Sequence, residues 1–101
     1  MYNLSLTNSA ENDLDEILES LELVRPMGSF NFSLQIENIF ERIERNPYIF
    51  EKRILHFRRA FIDKHPYIFY YSVLESLNEI EVIAIVHNKR GIQYIKRKLG
   101  I

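Results

Sequence analysis

The spacing of apolar residues predicts an α+β fold: a helical hairpin packed as one layer on a mainly antiparallel, four- to five-stranded sheet, in the order β-α-α-β-β-β-β. Three observations carry this. Tyr2, Leu4 and Leu6 alternate with polar residues, which is the period of a half-buried strand. Two amphipathic stretches at helical spacing follow, and neither can bury its stripe without a further layer. The second half then supplies β-prone runs rich in Phe, Tyr, Ile and Val. The chain has 101 residues, 47% apolar and 27% charged, so a single domain spanning 1–101 is expected, with seven Phe and six Tyr to fill its core.

The elements follow in order. Asn8, three residues before Glu11, resembles a capping box and is expected to start the first helix. Ala10, Leu14, Ile17, Leu18 and Leu21 form its apolar stripe, while Asn12, Asp15, Glu16 and Glu19 face water. Arg25-Pro26-Met27-Gly28 punctuates a helix–helix turn. Phe32, Ile36, Ile39, Phe40 and Ile43 make the second stripe, which Pro47 ends. Arg53–Phe57 and Arg58–Asp63 read as short strands with basic residues interleaved. Pro66 introduces Tyr67–Leu74, apolar or aromatic on both pleat faces and therefore a central strand. Glu75–Glu79 reads as a hairpin loop. Ile80–His87 is the last strand, with Ile80, Val82, Ala84 and Val86 expected on one face and Glu81, Ile83, Ile85 and His87 on the other. Gly91 opens a short C-terminal helix or ordered tail, Ile92–Leu99.

Several classes of function are excluded or disfavoured. No apolar run approaches the ~20 residues of a membrane span, and no signal peptide is visible, so a cytoplasmic location is expected. Without cysteine there is no disulfide, thiolate metal site or Cys nucleophile. His56, His65 and His87 fall on different elements, so no metal site is expected. No phosphate-cradling or dinucleotide motif appears, and no cofactor is expected. The net charge of −1 hides a division. Residues 1–51 carry three basic and ten acidic side chains, a net of −7; residues 52–101 carry ten basic and four acidic, a net of +6. The second half suits a phosphate or an acidic partner.

The candidate functional residues lie in that basic half: Arg58 and Arg59, then His87, Lys89 and Arg90 at the exit of the last strand, and Tyr94, Lys96 and Arg97 beyond it. Strand ends beside loops are common positions for working side chains. The structural roles open to the same residues are edge protection by Arg58 and Arg59, and a hydrogen-bonded structural role for His87.

The chain also resembles a known group. The opening strand leading into Ala10-Glu11-Asn12-Asp13-Leu14 is similar to the start of the RelE/ParE superfamily of toxins. So are the second helix closing on Asn46-Pro47, the Arg58-Arg59 pair, His65-Pro66-Tyr67 before an aromatic strand, and Ile85-Val86-His87-Asn88-Lys89-Arg90. Nearly the whole chain is covered, in the same order. The resemblance implies the toxin of a bacterial type II toxin–antitoxin module, which inhibits growth and is neutralised by a cognate antitoxin.

Two branches with different targets are implied. RelE-like members act at the ribosome and cut mRNA, with basic residues orienting the phosphate; ParE-like members poison DNA gyrase. For the first branch the resemblance assigns Arg59 and Arg90 to phosphate stabilisation and His87 to general acid–base chemistry. The sequence departs from that pattern: Ile68 follows Tyr67 where an arginine is expected, and Phe61 stands where a second lysine is expected. Tyr94 matches the C-terminal tyrosine only at a shifted spacing, and no strand carboxylate stands out as a partner for His87. The ParE-like branch is therefore favoured. Another reading is a non-catalytic binding module whose sheet offers Tyr67, Phe69 and Tyr71 to a partner segment.

Overall fold

A computed structural model describes all residues, Met1–Ile101. Its elements are β1 (Asn3–Leu6), α1 (Asn8–Val24), α2 (Gly28–Arg45), β2 (Lys52–Ile54), β3 (Phe57–Phe61), β4 (Tyr67–Leu74), β5 (Glu79–His87) and α3 (Ile92–Lys98), with a 3-10 turn at Glu75–Leu77. The five strands lie in the order β1-β5-β4-β3-β2. β4 is central, as its two-sided apolar pattern requires. All pairings are antiparallel except β1 with β5, which is parallel. The α+β class, with a helical hairpin laid on the sheet, is the predicted one.

The main core lies between hairpin and sheet. Ala10, Ile17, Phe32, Ile36, Ile39 and Ile43 pack on Ala60, Ile62, Phe69, Tyr71, Ile80, Val82 and Ile85. The opposite face of the sheet is covered in part by α3, whose Ile95 and Leu99 rest on Ile68, Tyr70, Ala84 and Val86. Tyr67, Phe69 and Tyr71 thus face the hairpin, contrary to their expected role as an outer docking face. The pleat turns Ile68 and Tyr70 outward, and α3 covers them.

Local chemistry departs from expectation in three further places. Thr7, one residue before Asn8, is the N-cap of α1, its hydroxyl accepting the Ala10 N–H at 3.1 Å. The run Arg53–Phe57 is divided by a turn at Leu55, which has φ 50°. In β5, Tyr70 pairs with Ala84 but Tyr71 pairs with Val82, so Ile83 is an extra, unpaired residue. This β-bulge reverses the facing of everything after it. Ile80 and Val82 point at the hairpin, Ala84 and Val86 away from it, and Ile85 returns to the hairpin side.

The turn between helices is tight. Met27 takes φ 66° and provides no side-chain cap for α2. Glu22 of α1 supplies the missing acceptor, receiving the Ser29 hydroxyl at 2.6 Å and the Ser29 N–H at 3.3 Å. Those bonds hold its carboxyl below the usual carboxylate range. A Cβ on Gly28 would lie 2.7 Å from the Leu21 carbonyl oxygen, so the close approach of the helices here requires glycine. At the other end, the Tyr71 hydroxyl donates to the Pro47 carbonyl at 2.8 Å, and Arg58 Nη1 donates to the Phe50 carbonyl at 2.7 Å. These bonds fasten the α2–β2 loop to the sheet.

Replacing Tyr71 by Phe is expected to cost about 1 kcal/mol, read as a lower urea midpoint at unchanged slope. Burial raises the Tyr71 phenol to about 12, with the Arg58 guanidinium opposing. An unfolded tyrosine titrates near ~10. Between those values the folded chain keeps a proton that the unfolded chain loses, so this contribution is whole below ~10 and falls as pH rises towards the folded value. Urea midpoints measured across that window should fall less steeply in Tyr71→Phe than in the wild type.

Candidate functional site

A cleft of about 580 Å³ lies at the His87 end of β5. One wall is α1, which presents Asp13, Glu16, Ile17 and Ser20; the other is the end of β5 and the turn into α3, with His87, Lys89, Arg90 and Tyr94. Tyr67 of β4 and Ile85 and Val86 of β5 complete the lining.

Its shape derives from a difference in strand length. β1 has four residues and β5 nine, so β1 cannot pair with the second half of β5. The β1–α1 corner replaces the missing strand. Thr7 donates its N–H to the Val82 carbonyl at 3.0 Å and its hydroxyl to the Ile83 carbonyl at 3.3 Å. One turn into the helix, Asp13 Oδ2 accepts the Ile85 N–H at 3.0 Å. Asp13 Oδ1 receives Lys98 Nζ at 2.6 Å, and Lys98 also reaches Ser9 Oγ at 3.1 Å. A single carboxylate thus ties α1, β5 and α3 together.

Beyond the bulge, His87 pairs with Tyr67 in the β4–β5 ladder and its ring meets the Tyr67 ring edge-on at 5.5 Å. The contact continues inward, Tyr67 meeting Phe32 at 5.6 Å. The Lys89 N–H donates to His87 Nδ1 at 3.1 Å, so in this arrangement that nitrogen carries no proton and the neutral ring holds its proton on Nε2. The Arg90 N–H donates to the His87 carbonyl, closing the turn at 3.0 Å. The Arg90 guanidinium lies 4.3 Å from the centre of the Tyr94 ring, a stacking that orients it while leaving its N–H donors free.

Of the residues singled out from the sequence, His87, Lys89, Arg90 and Tyr94 share this cleft. Arg58 and Arg59 do not. Arg58 faces the hairpin side, bonded to Phe50 and 5.0 Å from the Tyr48 ring centre. Arg59 pairs with Tyr70 and shares its outward face, its guanidinium 4.8 Å from the Phe61 ring centre. Lys96 and Arg97 lie on α3 outside the cleft lining, where Arg97 is exposed. Sequence reasoning missed the α1 wall. Asp13, Glu16, Ile17 and Ser20 have the spacing of one helical stripe, but which strand end that stripe meets is decided by topology. No group of three His, Asp or Glu side chains is placed to hold a metal ion, and no helix is long and apolar enough to cross a membrane.

A hairpin of two long helices on this mixed sheet, with a short terminal helix on the far face, is the arrangement of the RelE/ParE superfamily fold. The sequence matches the ParE toxin family of type II toxin–antitoxin systems (parDE) over residues 4–92, and the chain belongs to that family. It is the toxin component of such a system, which implies a cognate antitoxin as its partner. Comparison with curated proteins finds no match. Three solved structures share the fold. A chain of the intact E. coli RelBE toxin–antitoxin complex superposes with a TM-score of 0.68 at 16% identity, covering 89% of this chain and 100% of that one. The isolated E. coli RelE toxin gives 0.67 at 16%, covering 96% and 95%. The chromosomal ParDE system of P. aeruginosa gives 0.60 at 18%, covering 86% and 96%. RelE and ParE proteins both appear among them, so the fold is common to both branches.

Asp13→Ala is expected to cost about 2–3 kcal/mol, because it leaves the Ile85 amide and the Lys98 ammonium unpaired in a half-buried setting. Asp13→Asn, which keeps the acceptor for Ile85, should cost less. Urea denaturation measures both, and amide exchange at Ile85 should accelerate in the alanine variant before the hairpin amides respond.

Proposed function

We propose that the toxin acts in the ParE manner, in the cytoplasm, by poisoning DNA gyrase, and that it does not cut mRNA. One observation carries the reading: the cationic groups that a ribonuclease needs around one phosphate are divided between the two faces of the sheet. Arg59 is on the outward face beside Tyr70, while His87 is turned to the hairpin side against Tyr67. Within that cleft the wall opposite Arg90 is acidic, with Glu16 and Asp13. A polyanion entering it meets Lys89 and Arg90 on one side and the Glu16 carboxylate on the other, the Asp13 charge being already paired with Lys98.

The target-binding surface in this reading is the basic end of the molecule: Lys89, Arg90 and Tyr94 at the cleft mouth, and Lys96 and Arg97 on α3. The +6 charge of residues 52–101 steers that end towards an acidic surface or towards DNA held by gyrase. Arg58 is occupied in holding the α2–β2 loop and contributes by positioning only. The ribonuclease alternative retains one favourable feature, the shared cleft of His87 and Arg90. In that branch His87 Nε2 would exchange the proton and Arg90 would stabilise the phosphate.

The test uses purified chain with gyrase and supercoiled plasmid. Accumulation of protein-linked linear DNA is expected, and Arg90→Ala, folded by circular dichroism, should need at least tenfold more protein for the same cleavage. Gyrase that supercoils and religates normally at every concentration overturns the reading. In cells, induced expression should arrest growth; unimpaired growth from a folded chain would instead identify a binding module without toxic activity.

A further inference from the structure

β1 is an edge strand, paired on one side only. Asn3 and Thr7 donate their N–H groups to the Asn78 and Val82 carbonyls, each at 3.0 Å. In a parallel ladder the N–H and C=O of one residue point to the same side, and successive residues alternate. The backbone groups of Leu4 and Leu6 therefore point away from β5. The outward N–H of Tyr2 is taken by the Glu44 carbonyl at 3.0 Å, but no strand lies beyond Leu4 and Leu6. Two donors and two acceptors are left for one further strand.

The charge around that edge identifies what it takes. On the hairpin side a groove of about 280 Å³ lies between β1 and α2, lined by Leu4, Phe40, Glu37, Glu41 and Glu44. On the outward side, Asn3 and Ser5 of β1 pair with Glu79 and Glu81 of β5. Both faces of the edge are thus acidic. None of these five carboxylates is in an ion pair, since the chain's one ion pair is Lys98–Asp13. Residues 1–24 contain neither lysine nor arginine, and Arg42 of α2 is turned to the Phe50 ring, 5.6 Å from its centre. A nucleic-acid strand is repelled here. So is a second copy, which would bring the same carboxylates to the same edge. A cationic strand is attracted on both faces. The lengths also match: Glu37 and Glu44 stand seven residues apart, about 10 Å of helix, which three residues of an extended strand cover. Lysine or arginine at alternate positions of that strand falls on the groove side. There its methylene stem lies over Leu4 and Phe40 and its head reaches the carboxylates.

We propose that the open edge of β1 receives an extended, lysine- or arginine-bearing segment of a partner polypeptide as a sixth strand of the sheet. This docking does not depend on whether gyrase is the target. The probe is a capped hexapeptide alternating lysine with valine, titrated into the purified full chain and followed by amide NMR shifts. The outward amides of Leu4 and Leu6 should move more than those of Asn3 and Ser5, which stay bonded on the β5 side. Replacing the peptide's lysines by glutamate should abolish binding, and methylating its edge-facing amide nitrogens should do the same. Glu37→Gln, Glu41→Gln and Glu44→Gln combined, folded by circular dichroism, should weaken binding about tenfold. Asp15→Asn with Glu19→Gln, on the solvated face of α1, should leave it unchanged. Absence of binding, binding that leaves the Leu4 and Leu6 amides still, or an equal loss in the α1 variant overturns the proposal. So do Leu4 and Leu6 shifts that grow with protein concentration alone, which assign the edge to a second copy.

Discussion

The upper half of β5 has no neighbouring strand on its β1 side, and its backbone polar groups must be satisfied some other way. Thr7 and Asp13 satisfy them. The first caps α1 and takes the carbonyl at the bulge; the second accepts the Ile85 amide and fixes Lys98. Because these bonds come from the first turns of α1, they set where that helix crosses the end of the sheet. The helix then forms a wall facing His87, and the gap between them is the cleft. The same carboxylate draws in the last turn of α3, so the terminal helix is held against the outward face of the sheet by an ion pair as well as by Ile95 and Leu99.

The bulge at Ile83 has the widest consequence for chemistry. Strict alternation from Ile80 would send Ile85 and His87 to the face opposite Val82. With one extra residue, they return to the hairpin side, and His87 meets Tyr67 there. Arg59, one strand beyond β4, follows unbroken alternation and stays outward beside Tyr70. A one-residue irregularity therefore separates groups that linear reading had allowed to converge. The fold alone does not determine the target, since function is carried by which side chains a strand turns to which face.

Much of the architecture was legible in the sequence because it depends on periodicity. The stripes at Ala10–Leu21 and Phe32–Ile43, the punctuation at Pro26 and Gly28, and the doubly apolar run Tyr67–Leu74 each reflect burial over many residues. What was not legible depends on single hydrogen bonds between distant segments. Thr7 rather than Asn8 caps α1 because its hydroxyl also has Ile83 to bond. The bulge has no signature in Val82-Ile83-Ala84-Ile85, where every residue is apolar and either facing looks acceptable. The site was half visible: His87, Lys89 and Arg90 stood out as one basic stretch and line one cleft, whereas Glu16 read as part of a solvated helix face and Asp13 only as part of the helix start. The division of charge between the halves was plain in the sequence, but only the packing shows that it places opposite signs across one cleft.

In the ParE-like reading this division of cationic groups leaves no phosphate-orienting set. The most direct test adds the purified chain to a cell-free translation reaction and maps the 5′ ends of the message by primer extension. A message with unchanged ends is expected, whatever the ribosome occupancy. New cuts that appear only with ribosomes, and that vanish in His87→Ala, would contradict it and show that the cleft cleaves RNA despite its acidic wall.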